Sequence, residues 1–265
     1  MFPSTSRKTL DKALTLLMQF SHENKELAIS ELAERVGMHK SVVSRFVSSL
    51  CAWEMLEVNP VNGRLRIGAS AFRIGSLFSH RNELAELGMP LLAQLVHKTK
   101  HSAHLSILVG VRILVIAAIE GPDALRVIMR VGDQRHLHAT AAGKVFLAFS
   151  EPSLLGAISS TLQDYRLTEN TLISPDDLMQ ALPSIRRTNR AKNNGETHRG
   201  VGAAASGVFS EQNNLIAAIS TIYPLNIMNK EEEEQIAEHT LFYAESLSSI
   251  YRERNVYGNY KAQIG

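Results

Sequence analysis

Lys40, Ser41, Ser44, Arg45 and Ser48 recur at the spacing of one helix face, while Val43, Phe46, Val47 and Leu50 fill the other. Such a helix can bury its apolar side in its own domain and offer hydroxyls, an ammonium and a guanidinium to a groove of double-stranded DNA. Short serines let the backbone approach phosphates, and an arginine reads a base edge with two parallel donors. His39 precedes this face and belongs to the same candidate surface. Arg64 and Arg66 follow the tight-turn signal Asn62-Gly63, where they would reach a neighbouring phosphate or the minor groove.

Two other constellations look chemical. His97, His101 and His104, with His136 and His138, are spaced suggestively for a metal. A strand starting near Ala103 would break the helical face shared by the first two, so no metal is expected. Gly143-Lys144 opens a helix after a loop, yet Val145 stands where a phosphate-binding loop needs Ser or Thr, and His138 where its first glycine belongs. There is no G-x-S-x-G elbow and no paired histidine-carboxylate motif. The expectation is therefore a protein without catalytic residues or cofactor. The alternative is an enzyme or metal-responsive sensor fused to a DNA-binding unit, which turnover assays would separate from the first reading.

A DNA-facing helix needs a scaffold to hold it. Leu10, Ala13, Leu14 and Leu17 predict an amphipathic helix over about residues 6–20. Ser30, with Glu34 close behind, is expected to cap a short helix through Val36, and Gly37 to end it where φ must be positive. The spacing Ala33, Gly37, Val43, Phe46 is that of a helix-turn-helix: a small residue at the crossing, glycine in the turn and two apolar anchors. Residues 55–59 and 64–67 flank Pro60–Gly63 and predict a β-hairpin, the wing. Phe72, Ile74, Leu77, Phe78 and Leu84 predict one linker helix over about residues 69–87, able to pair with a second subunit.

From Met89 a mixed α/β texture begins. It comprises a helix with Pro90 in its first turn, strands over 103–109, 112–119 and 125–131, and a helix over 141–149. Ser174-Pro175-Asp176-Asp177 opens another helix, which Pro183 should kink or split. Strands over 200–209 and 215–222 and a last helix over 230–254 follow, with acids at the start of that helix and arginines at its end.

The composition fits a globular chain long enough for two modest domains, at 265 residues with 45% hydrophobic side chains. Net charge is only +2, but residues 1–70 hold 9 Lys/Arg against 7 Asp/Glu and the remainder 19 of each, so the formal excess sits beside the candidate DNA surface. With no apolar run of about 18 residues and no signal-peptide core, a cytoplasmic location without a membrane partner is expected. A lone Cys51 excludes an intrachain disulfide and any multi-cysteine zinc motif.

The stretches LDKALTLLMQF, ISELAERVGMHKSVVSRFVSSL and GRLRIG resemble the IclR-type bacterial transcriptional regulators, with Lys40, Ser41 and Arg45 in that family's recognition-helix pattern. LRVIMRVGDQRHLHATAAGKVFLAF and IRRTNRAKNNGETHRGVGAAASGVF extend the likeness to about Tyr251. The resemblance implies an α+β architecture. A winged helix-turn-helix spans residues 1–68, a linker helix 69–88 and a GAF-like α/β effector-binding domain 89–265. It also implies a homodimer or dimer of dimers, and repression or activation of a catabolic operon through operator DNA.

By the same resemblance Val127, Arg135, Ala141, Ala142, Asn193, Val201 and Ala203 line an effector pocket. The helix opening at Thr140-Ala141-Ala142-Gly143 would offer unpaired N–H groups to a carboxylate, with Arg135 as counter-charge. Ala203 stands where the family usually has Cys or Ser, Asn193 where it has an acid, and Gly207 where it has Pro. The first two exchanges add room and remove a negative charge, which points to a bulkier carboxylate, aromatic acids included.

Overall fold

The computed structural model describes residues 9–122, 129–160 and 162–264. Val127 and most of the strand expected over 125–131 lie outside them. Contacts divide the chain into two units, Met1–Ser79 and His80–Gly265.

In the first unit, α1 (Thr9–Leu17), α2 (Ile29–Val36) and α3 (Lys40–Ala52) precede a hairpin of β1 (Leu56–Val58) and β2 (Leu65–Ile67) and a helix α4 (Ala69–Ser76). Leu16, Leu32, Val36, Val43, Val47 and Leu65 close its core. The hairpin is antiparallel with Leu56 opposite Ile67, and Leu27 bridges to Leu65 on its other side. Gly37 ends α2 at φ 62°, and the Met38 N–H then bonds the Ala33 carbonyl. The start of α2 differs from the expectation. Its cap is Ala28, Ser30 lies inside the helix, and Glu31 reaches back to the Ala28 N–H at 2.9 Å. A third-position glutamate closes the first turn without a capping hydroxyl.

The expected single linker helix is two helices, since α4 ends at Ser76 and α5 (Ser79–Thr99) starts anew after Leu77 and Phe78. Pro90 lies within α5 instead of opening a helix, and α8 (Pro175–Thr188) is not split at Pro183. The reason is the same in both. Leu84, Leu91, Leu92 and Leu95 of α5, and Leu178, Leu182 and Ile185 of α8, each bury one continuous stripe. Burial of several leucines outweighs the roughly 3 kcal/mol that an interior proline costs.

The second unit is built on a six-stranded antiparallel sheet in the order β5-β4-β3-β8-β7-β6. Its strands are β3 (Ser102–Val109), β4 (Arg112–Ile119), β5 (Gln134–His136), β6 (Ala191–Asn194), β7 (Val201–Phe209) and β8 (Leu215–Pro224). One face packs α5 and the long α9 (Lys230–Ile264) through Leu95, Leu105, Ile219 and Leu247. The other packs α6 (Ala141–Phe149) and α8 through Ala142, Val145, Leu178 and Ala218. A short α7 (Pro152–Ser159) links those two helices. The whole is α+β, as the sequence implied.

Candidate functional site

On the first unit, His39, Lys40, Ser41, Ser44, Arg45 and Ser48 are all exposed along α3, while Val43 and Val47 are buried beneath them. No acidic residue occurs on α3, and among the described residues neither Lys40 nor Arg45 forms an ion pair. The face is therefore a free cationic, hydroxyl-rich strip. The wing arginines stand differently. Arg64 pairs with Glu31 at 2.6 Å and bonds the Glu26 carbonyl, and Arg66 pairs with Glu57. Sequence reasoning missed Glu26, whose carboxylate accepts from the Asn59 and Asn62 amides at 2.7 and 2.8 Å and so clamps the wing turn. Those two bonds lower its pKa below the usual carboxylate value.

On the second unit, Arg135, Ala141, Ala142, Asn193, Val201 and Ala203 converge on one cavity. Thr140 caps α6: its Oγ accepts from the Gly143 N–H and donates to the His136 carbonyl, both at 3.0 Å. The N–H groups of Ala141 and Ala142 belong to the first turn and have no intrahelical acceptor. They form the positive end of the helix at the cavity wall. Arg135 also lines the cavity, with its guanidinium 3.3 Å from the Asp133 carboxylate. The same guanidinium, after burial, keeps His198 below the usual imidazole pKa.

Asn193 lines the wall but its amide is committed elsewhere. Nδ2 donates to the Ala139 carbonyl at 2.5 Å and to Thr197 Oγ, and Oδ1 accepts from the Glu196 N–H. Sequence reasoning also missed Thr197, His198, Ser220 and Ile222 on the lining. Ser220 and Ile222 lie two residues apart on a recognised strand, so alternation carried the signal once that face was known to be occupied.

Lys144 and His136, two of the residues that looked chemical, settle into packing. Lys144 donates to both Glu196 carboxylate oxygens, at 2.7 and 2.9 Å, with both side chains buried. It points into the protein, away from any phosphate. His136 stacks near Tyr165 and lies beside Arg112, and burial followed by that arginine lowers its pKa to about 4. Among the described residues, no group of three or more His, Cys, Asp or Glu could hold a metal ion.

Residues 77–249 match the model for the bacterial transcriptional regulator IclR C-terminal family, and residues 9–60 the IclR helix-turn-helix domain. The HTH-type transcriptional regulator XynR of Escherichia coli (strain K12) is 30% identical over 213 residues, covering 80% of this chain and 84% of XynR. An IclR transcriptional regulator structure from a Silicibacter species matches at a TM-score of 0.77 and 26% identity, over 92% of this chain and 96% of that one. An IclR homologue from Microbacterium hydrocarbonoxydans, complexed with 4-hydroxybenzoate, shares the fold at a TM-score of 0.78 and 20% identity, over 92% and 100% of the two chains.

The buried ion pair yields a prediction. Lys144→Met or Glu196→Gln alone leaves one uncompensated partner and should cost about 3–5 kcal/mol in urea denaturation, whereas the Lys144→Met/Glu196→Leu double variant should recover most of that loss. Equal losses in single and double variants would assign the effect to packing alone.

Proposed function

Given a chain that belongs to the IclR family of bacterial transcriptional regulators, DNA-binding proteins built on a helix-turn-helix, we propose that its second unit senses a small organic acid seated at the start of α6 and thereby modulates operator binding by α3. The observation that carries this is the convergence of Arg135, Ala141, Ala142, Asn193, Val201 and Ala203 on a single cavity beneath a helix N-terminus. The complex of the Microbacterium relative with 4-hydroxybenzoate supports an acid as the ligand class. The family's role as regulators, together with the ordinary packing of Lys144 and His136, favours sensing over catalysis.

Operator reading belongs to Lys40, Ser41, Ser44, Arg45 and Ser48, with His39 at the edge. Arg66 is exposed and Arg64 half-buried, and both would have to exchange a carboxylate for a phosphate to join them. The chain acts as a homodimer or dimer of dimers, because one α3 makes few base contacts while a two-fold pair reads two half-sites. Phe72, Ile74 and Leu77 are 78%, 59% and 75% exposed, and suit a face covered by a second copy. Among the described residues no helix is long and apolar enough to cross a membrane, which suits a protein working on DNA in the cytoplasm. Control of a catabolic operon completes the reading that the family resemblance implies.

Three measurements test it. Arg45→Ala should weaken operator binding by about 1–3 kcal/mol with a smaller loss on random DNA; an equal loss on both would make it a phosphate contact. Sedimentation at micromolar concentration should give a dimer or larger, and a strict monomer with and without DNA would contradict the assembly. Ala142→Trp should abolish the thermal shift given by stabilising organic acids, at some cost to apo stability because Ala142 also packs in the core under α6. Normal ligand binding by that variant would place the effector elsewhere.

A further inference from the structure

With the cavity at the start of α6 taken as the effector site, its size sets a problem of entry. Its volume is about 40 Å³. At about 10–15 Å³ for each water molecule that is room for a few waters, well below the roughly 300–1,000 Å³ of an ordinary ligand pocket. A wall must therefore move to admit an acid of more than a few atoms. Most walls are held on both sides. Val201 and Ala203 lie on β7 and Ser220 and Ile222 on β8, interior strands with a neighbour on each flank. Ile113, Ala141 and Ala142 belong to the core cluster. Arg135 is laddered to Ile113, and Met129 leads into a turn whose Gly132 N–H and Asp133 carbonyl both bond Val115 of β4.

Thr197 and His198 are placed differently. They stand in the loop between β6 and β7, whose base closes through the Gly195 N–H on the Val201 carbonyl at 3.0 Å. Gly195 and Gly200 mark its two ends at φ 76° and 73°, a conformation glycine adopts without steric cost. As far as Glu196 the loop is fixed. Glu196 is in the buried pair with Lys144, and the hydroxyls of Thr168 and Thr171 donate to the Gly195 and Glu196 carbonyls, each at 2.7 Å. Beyond it Thr197 is half-buried, and His198 and Arg199 are exposed. Among the described residues, this stretch has one inner and one outer side-chain fastening. Inside, Thr197 Oγ1 donates to the Ala139 carbonyl at 2.5 Å and accepts from Asn193 Nδ2 at 3.1 Å. Outside, Arg199 pairs with Glu169 at 2.8 Å, the two side chains 80% and 53% exposed.

Both fastenings can be released at little cost. The Ala139 carbonyl has a second donor, Asn193 Nδ2, so withdrawal of Thr197 leaves no buried acceptor without a partner. The Thr197 hydroxyl meets water as soon as the loop lifts. An ion pair as exposed as Arg199 with Glu169 contributes little in water. We propose that residues 197–199 form a gate over the anion seat, hinged between Glu196 and Gly200, with Thr197 as the inner latch and Arg199 with Glu169 as the outer one. The gate sets how fast an effector enters and leaves, whichever acid it is, while Asn193 keeps the start of α6 in place as the loop moves.

The test follows the reactivity of a thiol under the gate in the full-length protein. In a Cys51→Ala background, Ala142→Cys puts a sulfhydryl at the seat, and Ala148→Cys puts one in the core at the far end of α6. Modification by a small methanethiosulfonate reagent is timed by mass spectrometry. Thr197→Val, close in shape but with no hydrogen to donate, should speed labelling at the seat by about threefold to tenfold. Thr197→Ser should keep the wild-type rate, and Glu169→Ala added to Thr197→Val should speed it by about a further twofold. Labelling at the far thiol should not change. An unchanged rate at the seat in Thr197→Val, or an equal acceleration at both thiols, which marks general loosening, would overturn the gate. Should Ala142→Cys not fold, Ala141→Cys carries the same thiol on the same wall. None of this needs a ligand, so it is separable from the effector reading. Acetate, butyrate, succinate, benzoate and 4-hydroxybenzoate are then tried as protectants of the seat thiol. If none protects while Thr197→Val speeds labelling, the acid reading fails and the gate stands; if one protects while Thr197→Val changes nothing, the gate alone fails.

Discussion

The second unit depends on a buried charge pair, Lys144 of α6 with Glu196 of the loop after β6. Two charges withdrawn from water are tolerable only when their remaining hydrogen-bonding capacity is met. Here one Glu196 oxygen also accepts from the Asn194 N–H, the Glu196 carbonyl accepts from Thr171 Oγ, and the Glu196 N–H donates to Asn193. Asn193 and Thr197 then both reach the Ala139 carbonyl, immediately before the Thr140 cap. From the other side Gly143 lies so close to Leu137 that a Cβ there would stand 2.1 Å from the Leu137 carbonyl oxygen. The first turn of α6 is thus fixed from both sides, and a backbone anion seat works only if its N–H groups are held in place before the ligand arrives.

The first unit uses charge differently. Glu26 and Glu31 hold the wing from outside through Asn59, Asn62 and Arg64, in pairs that are half-exposed and worth little individually. Their value is geometric, because a two-stranded hairpin is marginal unless something fixes it. The price of that arrangement is that Arg64 is engaged within the domain, whereas among the described residues Lys40 and Arg45 have no ion-pair partner and lie on a helix with no acid of its own. Cations left without local partners are the ones whose counterions can be exchanged for phosphates.

Legibility followed the length and regularity of each signal. The α3 face, Gly37, β3, β4, β7, β8 and the α6 start were readable because apolar periodicity or a positive-φ glycine has few structural alternatives. What escaped was local or short. Glu31 displaced Ser30 as the residue that closes α2, a choice between two adequate caps that depends on where the chain enters. β5 and β6 are three and four residues long with polar sequences, QRH and AKNN, and owe their strand character to their neighbours β4 and β7. The break at Leu77 and Phe78 follows Gly75, a glycine inside an apolar pattern that reads as one continuous helix. The cavity residues came from family likeness; no spacing rule links Arg135, Ala141 and Asn193, which the sheet order brings together.

As an effector seat, the cavity divides its work unevenly. Backbone N–H groups and an arginine shared with Asp133 would accept any carboxylate, so they select acids as a class and scarcely tell one from another. Ala141, Ala142, Ala203 and Gly202 give room, and apolar room discriminates by only about 1–3 kcal/mol for each methylene gained or lost. Asn193 is consumed in holding the wall. Discrimination beyond size must therefore fall to polar side chains on the lining with capacity to spare, and Ser220 on β8 stands among the lining residues. Groups already saturated in holding the fold have little hydrogen-bonding capacity left to offer a ligand.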